Sequence, residues 1–107
     1  MKHLSSKQAK AKSISPETKM IVFERDGRRC IYCGSLEGLP NAHFIPRSLG
    51  GLGIEQNIIT LCLSCHDRYD RGGKLKREGM KEFFREYLQS CYPDWDESKL
   101  YYHKEDY

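Results

Sequence analysis

Four of the five cysteines stand as two C-x-x-C pairs, Cys30/Cys33 and Cys62/Cys65, with 28 residues between them. A two-residue gap lets both sulfurs of a pair reach one ion at about 2.3 Å. Two such pairs close a tetrahedral four-thiolate zinc site with no open position, which marks a structural role. Other cysteine chemistry fits less of the pattern. A disulfide is disfavoured in a reducing compartment, and a redox C-x-x-C would sit in a βαβ context that is missing here. Cys62-Leu63-Ser64-Cys65-His66 also has the form of a c-type haem attachment site. Haem attachment generally needs export, however, and it leaves Cys30 and Cys33 unused. Zinc accounts for all four, and Cys91 remains as an ordinary free thiol.

Polar residues are interleaved with these pairs. His43 precedes a Gly-rich loop, Asn57 follows that loop, and His66 comes directly after the second pair. Taken singly, each is more often a satisfied polar residue than a functional one. Together they form a frame: His43-Phe44-Ile45-Pro46-Arg47-Ser48, then Gly50-Gly51, Asn57, Leu61-Cys62 and Cys65-His66. This frame, about residues 28–70, resembles the HNH endonuclease family with zinc-knuckle cysteines, a form common among phage and mobile-element nucleases.

The resemblance implies a small α+β fold. At its centre would be a ββα-metal (His-Me finger) core, two short strands and a helix around one divalent ion, with the four-cysteine zinc site and flanking helices. It implies hydrolysis of DNA phosphodiester bonds to a 5′-phosphate and a 3′-hydroxyl. His43 matches the general base that takes a proton from the attacking water, a task suited to an imidazole whose ordinary pKa lies near working pH. Asn57 matches the residue whose side chain braces the loop carrying that histidine. His66 matches a metal ligand at the start of the helix, where the ion would stabilise charge developing on the phosphate and the leaving 3′ oxygen.

One position departs from the family. The residue before the catalytic histidine is commonly Asp or His there and supplies a metal ligand, whereas here it is Ala42. Asp70 stands four residues after His66, so both project from one helical face. Some family members carry a ligand at that offset, and a carboxylate suits a hard ion such as Mg²⁺ or Mn²⁺. The expected ligands of a catalytic divalent ion are therefore His66 and Asp70, with Asn41 a weaker candidate. Asp70 also reads as a solvated acid beside Arg68 and Arg71. Arg47 is expected to clamp a phosphate with its planar fork, or only to make a backbone-positioning contact. Arg28, Arg29, Arg68, Arg71, Lys74, Lys76 and Arg77 flank the motif as a candidate phosphate-tracking rim.

The elements that must hold these residues can be read from caps and breakers. Ser15-Pro16-Glu17 starts a helix over about 16–25, with Asp26-Gly27 as its stop. Asn41 to Ile45 is an extended stretch ended by Pro46, and Arg47 to Gln56, with three glycines, is a loop. Ile58 to Leu61 is a short strand. A short helix is expected after Cys65 up to Arg71, ended by Gly72-Gly73. Lys74 to Ser90 is the longest predicted helix, with Met80, Phe83, Phe84, Tyr87 and Leu88 on one face and Gly79 as a point of kinking or a later start. Pro93, Trp95, Leu100, Tyr101 and Tyr102 either dock as an aromatic strip or stay partly disordered.

At 107 residues the chain reads as one domain with tails: a basic tail 1–12, a nuclease domain 13–91, and an aromatic, acidic tail 92–107. A chain this short, 31% charged, has a modest core, so a staple beyond apolar packing is expected. The net charge of +3 is uneven. Lys2, Lys7, Lys10 and Lys12 make the first tail basic, commonly a solvated arm, while five acids face two lysines in the last. No apolar run suggests a signal or membrane span, so the expected setting is cytoplasmic. Expected partners are DNA and, with it, phage packaging or recombination proteins. The competing readings are a non-catalytic zinc module that binds nucleic acid, favoured by Ala42, and a zinc-stapled protein-interaction module, favoured by the aromatic tail.

Overall fold

The computed structural model describes residues 6–103, so the first five residues and the last four lie outside the description, as does the side chain of Ser6. Helix α1 spans Ser6–Lys12 and α2 spans Pro16–Arg25. Strands β1 (Leu39–His43) and β2 (Ile58–Leu61) follow, then α3 (Leu63–Arg71) and α4 (Lys74–Cys91). Short 3-10 turns lie at Arg47–Leu49 and Glu97–Leu100. The fold is a small α+β arrangement in which a two-stranded antiparallel sheet packs against helices.

Local chemistry explains the helix limits. Ser15 Oγ accepts from Thr18 N at 3.1 Å, Pro16 presets the first turn, and Glu17 sits at the positive dipole end of α2. Helix α3 is preceded by Cys62 at its N-cap, starts at Leu63, ahead of the start expected after Cys65, and stops before Gly72. Helix α4 runs through Gly79 without a later start, because Met80, Phe84 and Leu88 bury one continuous face at i, i+4 and i+8.

The sheet pairs Leu39 with Leu61, Ala42 with Ile59 and His43 with Ile58. One extra residue therefore lies on β1 between Leu39 and Ala42, a bulge that contains Pro40, which has no N–H to offer a ladder. The strand begins and ends two residues earlier than its apolar pattern suggests. Phe44 and Ile45 still hydrogen-bond across, Phe44 N to Asn57 O at 2.7 Å and Ile45 N to the Asn57 side chain at 2.8 Å.

Phe44, Ile45, Ile59, Leu61, Tyr69, Met80, Phe84, Leu88 and Leu100 form one buried cluster. Tyr69 meets Phe84 edge-on at 5.0 Å and donates its hydroxyl to Phe44 O at 2.8 Å, tying α3 to the strand. The aromatic segment after α4 docks onto this body. Trp95 packs edge-on against Phe44 at 5.6 Å and donates Nε1 to Gln56 O, while Leu52 N and Tyr102 N bond to Leu100 O and Gly50 O.

A buried ionic network joins α2 to the rest. The Asp26 carboxylate accepts from Arg25 Nε at 2.7 Å, Thr60 N at 2.9 Å and Tyr87 Oη at 2.5 Å. The Arg25 guanidinium reaches the carbonyls of Glu55 and Ile58, both at 2.7 Å, and the Tyr92 hydroxyl. Burial and the Asp26 carboxylate together push the Tyr87 hydroxyl well above the usual tyrosine range, so it stays a donor. Asp26→Ala leaves Arg25 and Thr60 N with lost partners in the interior, and is expected to cost about 3–5 kcal/mol. Urea unfolding of the two proteins measures this, and coincident midpoints would refute the network's role.

Candidate metal centre and active-site cleft

Cys30 and Cys33 lie in the turn between α2 and β1. That turn closes through Gly34 N to Cys30 O and Cys30 N to Ser35 O, both at 2.9 Å, and Gly34 takes φ +81°, a left-handed conformation that side chains other than glycine resist. Cys62 and Cys65 occupy the first turn of α3, where a two-residue gap places both on one side. The four sulfurs lie within 4.8 Å of one another, and Cys33 Sγ is 3.7 Å from Cys62 Sγ. Tetrahedral zinc with bonds near 2.3 Å would set sulfurs about 3.8 Å apart, so the donor set fits that ion.

The thiols are electrostatically strained as a group. Burial pushes Cys30 up, but backbone N–H groups at Cys33 and Cys62 outweigh it and bring the thiol down to about 7. Burial and the neighbouring sulfurs push Cys65 far up. Four thiolates there would need a cation beside them, so a metal bound to this cluster would couple to folding. Cys62→Ser is therefore expected to lose both bound zinc and the cooperative melting transition. The zinc content and thermal melt of each form test this, and an unchanged melt with no zinc in either would exclude a structural metal.

A separate cleft of about 850 Å³ opens on the other side of α3. His43 enters it from the end of β1, His66 and Asp70 from α3, and Arg47 from the turn after Pro46. His66 Nε2 and Asp70 Oδ2 are 3.1 Å apart, one helical turn separated. At that distance the two side chains form a direct ion pair when His66 is protonated, and both face the cleft. Asn41, the weaker candidate, also lines the cleft. Ala42 does not; it is buried in the apolar cluster.

His43 is 9% exposed. Its Nε2 lies 2.9 Å from Lys12 O, and a carbonyl can only accept, so Nε2 carries the hydrogen and Nδ1 keeps the lone pair. Burial lowers the His43 pKa from its ordinary value; Arg47 and His66 add to the effect, while the Lys12 carbonyl and Asp70 oppose it. The neutral ring is thereby favoured. Asn57 is fully buried and lies away from the cleft lining. Its Oδ1 accepts from Ile45 N at 2.8 Å, and its Nδ2 donates to Leu52 O at 2.8 Å and Ile45 O at 3.2 Å. It thus spans the loop between the strands from inside.

Residues 30–72 match the HNH endonuclease family. The HNH segment therefore contains both cysteine pairs, β1, β2 and α3, and it ends before α4. The match covers residues 30–72 alone and suggests a nuclease or nucleic-acid-related function for that segment. The chain is also similar to Anaredoxin of Nostoc sp. (strain PCC 7120 / SAG 25.82 / UTEX 2576), 42% identical over 45 residues. That alignment takes in 41% of this chain and spans 59% of Anaredoxin. No solved structure matches the chain. Among the described residues, no helix is long and apolar enough to cross a membrane.

Several residues of the cleft lie outside the motif. Ser13, Lys19 and Arg77 line it, and Arg77 is fixed by Nε donating to Tyr69 O at 2.9 Å with its guanidinium 5.1 Å from the Tyr69 ring. A second groove shares Asp70 and Arg77 and adds Arg71, Lys74, Lys81 and Arg85. Of the seven cations flanking the motif, Arg71, Lys74 and Arg77 reach these two surfaces; Arg28, Arg29, Arg68 and Lys76 do not. Lys19, Lys81 and Arg85 had no spacing signal in the sequence, since their placement depends on how α2 and α4 pack.

Proposed function

We propose that the chain is a metal-dependent DNA endonuclease of the HNH type, with His43 as general base. The observation that carries this reading is the convergence of His43, His66 and Asp70 on one cleft, with His43 Nε2 already committed to a carbonyl. Nδ1 is then the ring atom free to take a proton from water. As the water oxygen bonds to phosphorus, the bond from phosphorus to the 3′ oxygen breaks and that oxygen leaves. His66 and Asp70 would hold a divalent ion, which supplies charge stabilisation for the phosphate and the leaving oxygen. Arg47 offers a bidentate fork to a non-bridging phosphate oxygen, and Arg77 with the second groove offers cations along the strand. Asn57 holds the two sides of the loop in register and takes no part in proton transfer. Zinc on Cys30, Cys33, Cys62 and Cys65 would pin the scaffold.

The competing reading, a non-catalytic nucleic-acid module, is favoured by one feature. Ala42 offers no ligand, and it is buried in the apolar cluster and does not line the cleft. Supercoiled plasmid incubated with Mg²⁺, Mn²⁺ or Ni²⁺, against EDTA, separates the two. Metal-dependent nicking or linearisation is expected, with His43→Ala lowering the rate roughly 10²- to 10⁴-fold while zinc content stays unchanged. Gel retardation of DNA without cleavage in any metal would instead favour the non-catalytic module.

Two further outcomes follow from the geometry. Asp70→Ala is expected to raise the metal concentration for half-maximal cleavage roughly tenfold or more, and an unchanged metal titration would remove Asp70 from the ligand set. The base must be neutral to act, and the His43 pKa is lowered. Cleavage should therefore persist as pH falls through the ordinary histidine value of about 6.5 and be lost only below it. An acid limb centred above that value would argue against His43.

A further inference from the structure

The HNH segment begins at residue 30, yet the ring nitrogen of its histidine is held by a residue far upstream. Helix α1 ends at Lys12, and the last four carbonyls of any helix lack intrahelical partners. Here each has one. Ala9 O and Lys10 O accept from Ser13 N at 3.1 and 3.2 Å, and Ala11 O accepts from Gly53 N at 2.9 Å. Lys12 O accepts from His43 Nε2 at 2.9 Å. The end of α1 therefore closes its own turn with two carbonyls and grips the loop and the histidine with the other two.

The Lys12 side chain adds a third tie. It is 5% exposed, uncommon for a lysine, and its Nζ donates to Arg47 O at 3.0 Å. The contact surface is close. A Cβ at Gly53 would stand 2.0 Å from Ser13 O and 3.0 Å from Lys12 O, both backbone atoms that cannot swing aside. Glycine at position 53 is what lets the α1 terminus lie against the loop. A basic segment that looks like a solvated arm is, at its C-terminal end, a fitted part of the cleft wall.

We propose that the last turn of α1 is the positioning element of the cleft, with the Lys12 carbonyl setting the tautomer and ring plane of His43 and the Lys12 ammonium fixing the backbone of Arg47. The catalytic consequence rests on the nuclease reading above, but the tautomer does not. A ring held by Nε2–H presents Nδ1 in one direction. A ring released from Lys12 O exchanges hydrogens between both nitrogens and turns about its bonds.

Gly53→Ala and Lys12→Met test this in the full-length, zinc-loaded chain. The first pushes the α1 terminus off the loop, and the second keeps the aliphatic stem but removes the tie to Arg47. The ¹⁵N shifts of the His43 ring report the tautomer directly. The native protein is expected to show a single Nε2–H form and Gly53→Ala a mixed population, while Lys12→Met, which keeps the Lys12 carbonyl, shifts the Arg47 carbonyl ¹³C resonance instead. In cleavage assays kcat should fall, by roughly a hundredfold in Gly53→Ala, with KM and zinc content unchanged. Native-like His43 ring shifts in folded Gly53→Ala would overturn the proposal. If that variant does not fold, an unchanged Arg47 carbonyl ¹³C shift in Lys12→Met would overturn it. An Nδ1–H ring in the native protein would also do so. If the native protein cleaves no DNA, the nuclease reading fails, and the ring shifts still decide whether α1 orients His43.

Discussion

Four sulfur atoms drawn to within 4.8 Å of one another repel as they ionise, and a cation with tetrahedral thiolate preference relieves that repulsion. The rest of the arrangement depends on this constraint because of where the sulfurs sit. One pair precedes β1 and the other begins α3 directly after β2. A metal clamping the pairs together would close the open end of the hairpin, where Leu39 pairs with Leu61, and fix the direction in which α3 leaves the sheet. In a chain of 107 residues with nearly a third of them charged, apolar burial alone gives a modest core. A metal on the four-cysteine cluster would supply a second fixed point.

Helix α3 then serves two sites with one period. Cys65 and Tyr69, four apart, face inward, towards the sulfurs and the aromatic core. His66 and Asp70, each one residue later, are rotated by about 100° and face the cleft. Any rotation of α3 that moved the cysteines would move the cleft residues with them. The buried Arg25–Asp26 network holds the opposite side: it anchors α2 to the backbone of β2 through Thr60 and to α4 through Tyr87. The hairpin that carries His43 is thus fixed between two rigid polar centres, with little apolar area needed for either.

The cleft itself is built from pieces with separate physical tasks. Asn57 uses three hydrogen bonds to keep the loop between the strands at constant width, which places His43 and Arg47 at the same rim. Burial lowers the His43 pKa and so favours the neutral ring, and a carbonyl selects which nitrogen carries the hydrogen. Ala42 fills a core position between these polar residues, so the side facing His66 and Asp70 is left to the helix.

Much of this was legible in the residues alone. The C-x-x-C spacing, the capping Ser15-Pro16 and the apolar run from Ile58 fix local geometry, and local geometry depends only on neighbours along the chain. They were enough to place α2, β2, α3, α4 and the four-cysteine cluster, and the His66–Asp70 pairing followed from helical period. The start of β1 was not legible, because a bulge at Pro40 shifts the ladder without altering the apolar pattern. Nor was the docking of the aromatic segment after α4, where composition permitted either order or disorder until Trp95 and Leu100 met the core. The α1 contact lay furthest from the sequence. A backbone carbonyl has no residue-type signature, and the only trace of its grip on His43 is a glycine at position 53, one of three in that loop. Tertiary packing decided that position, because only the folded chain brings residue 12 against residues 43, 47 and 53.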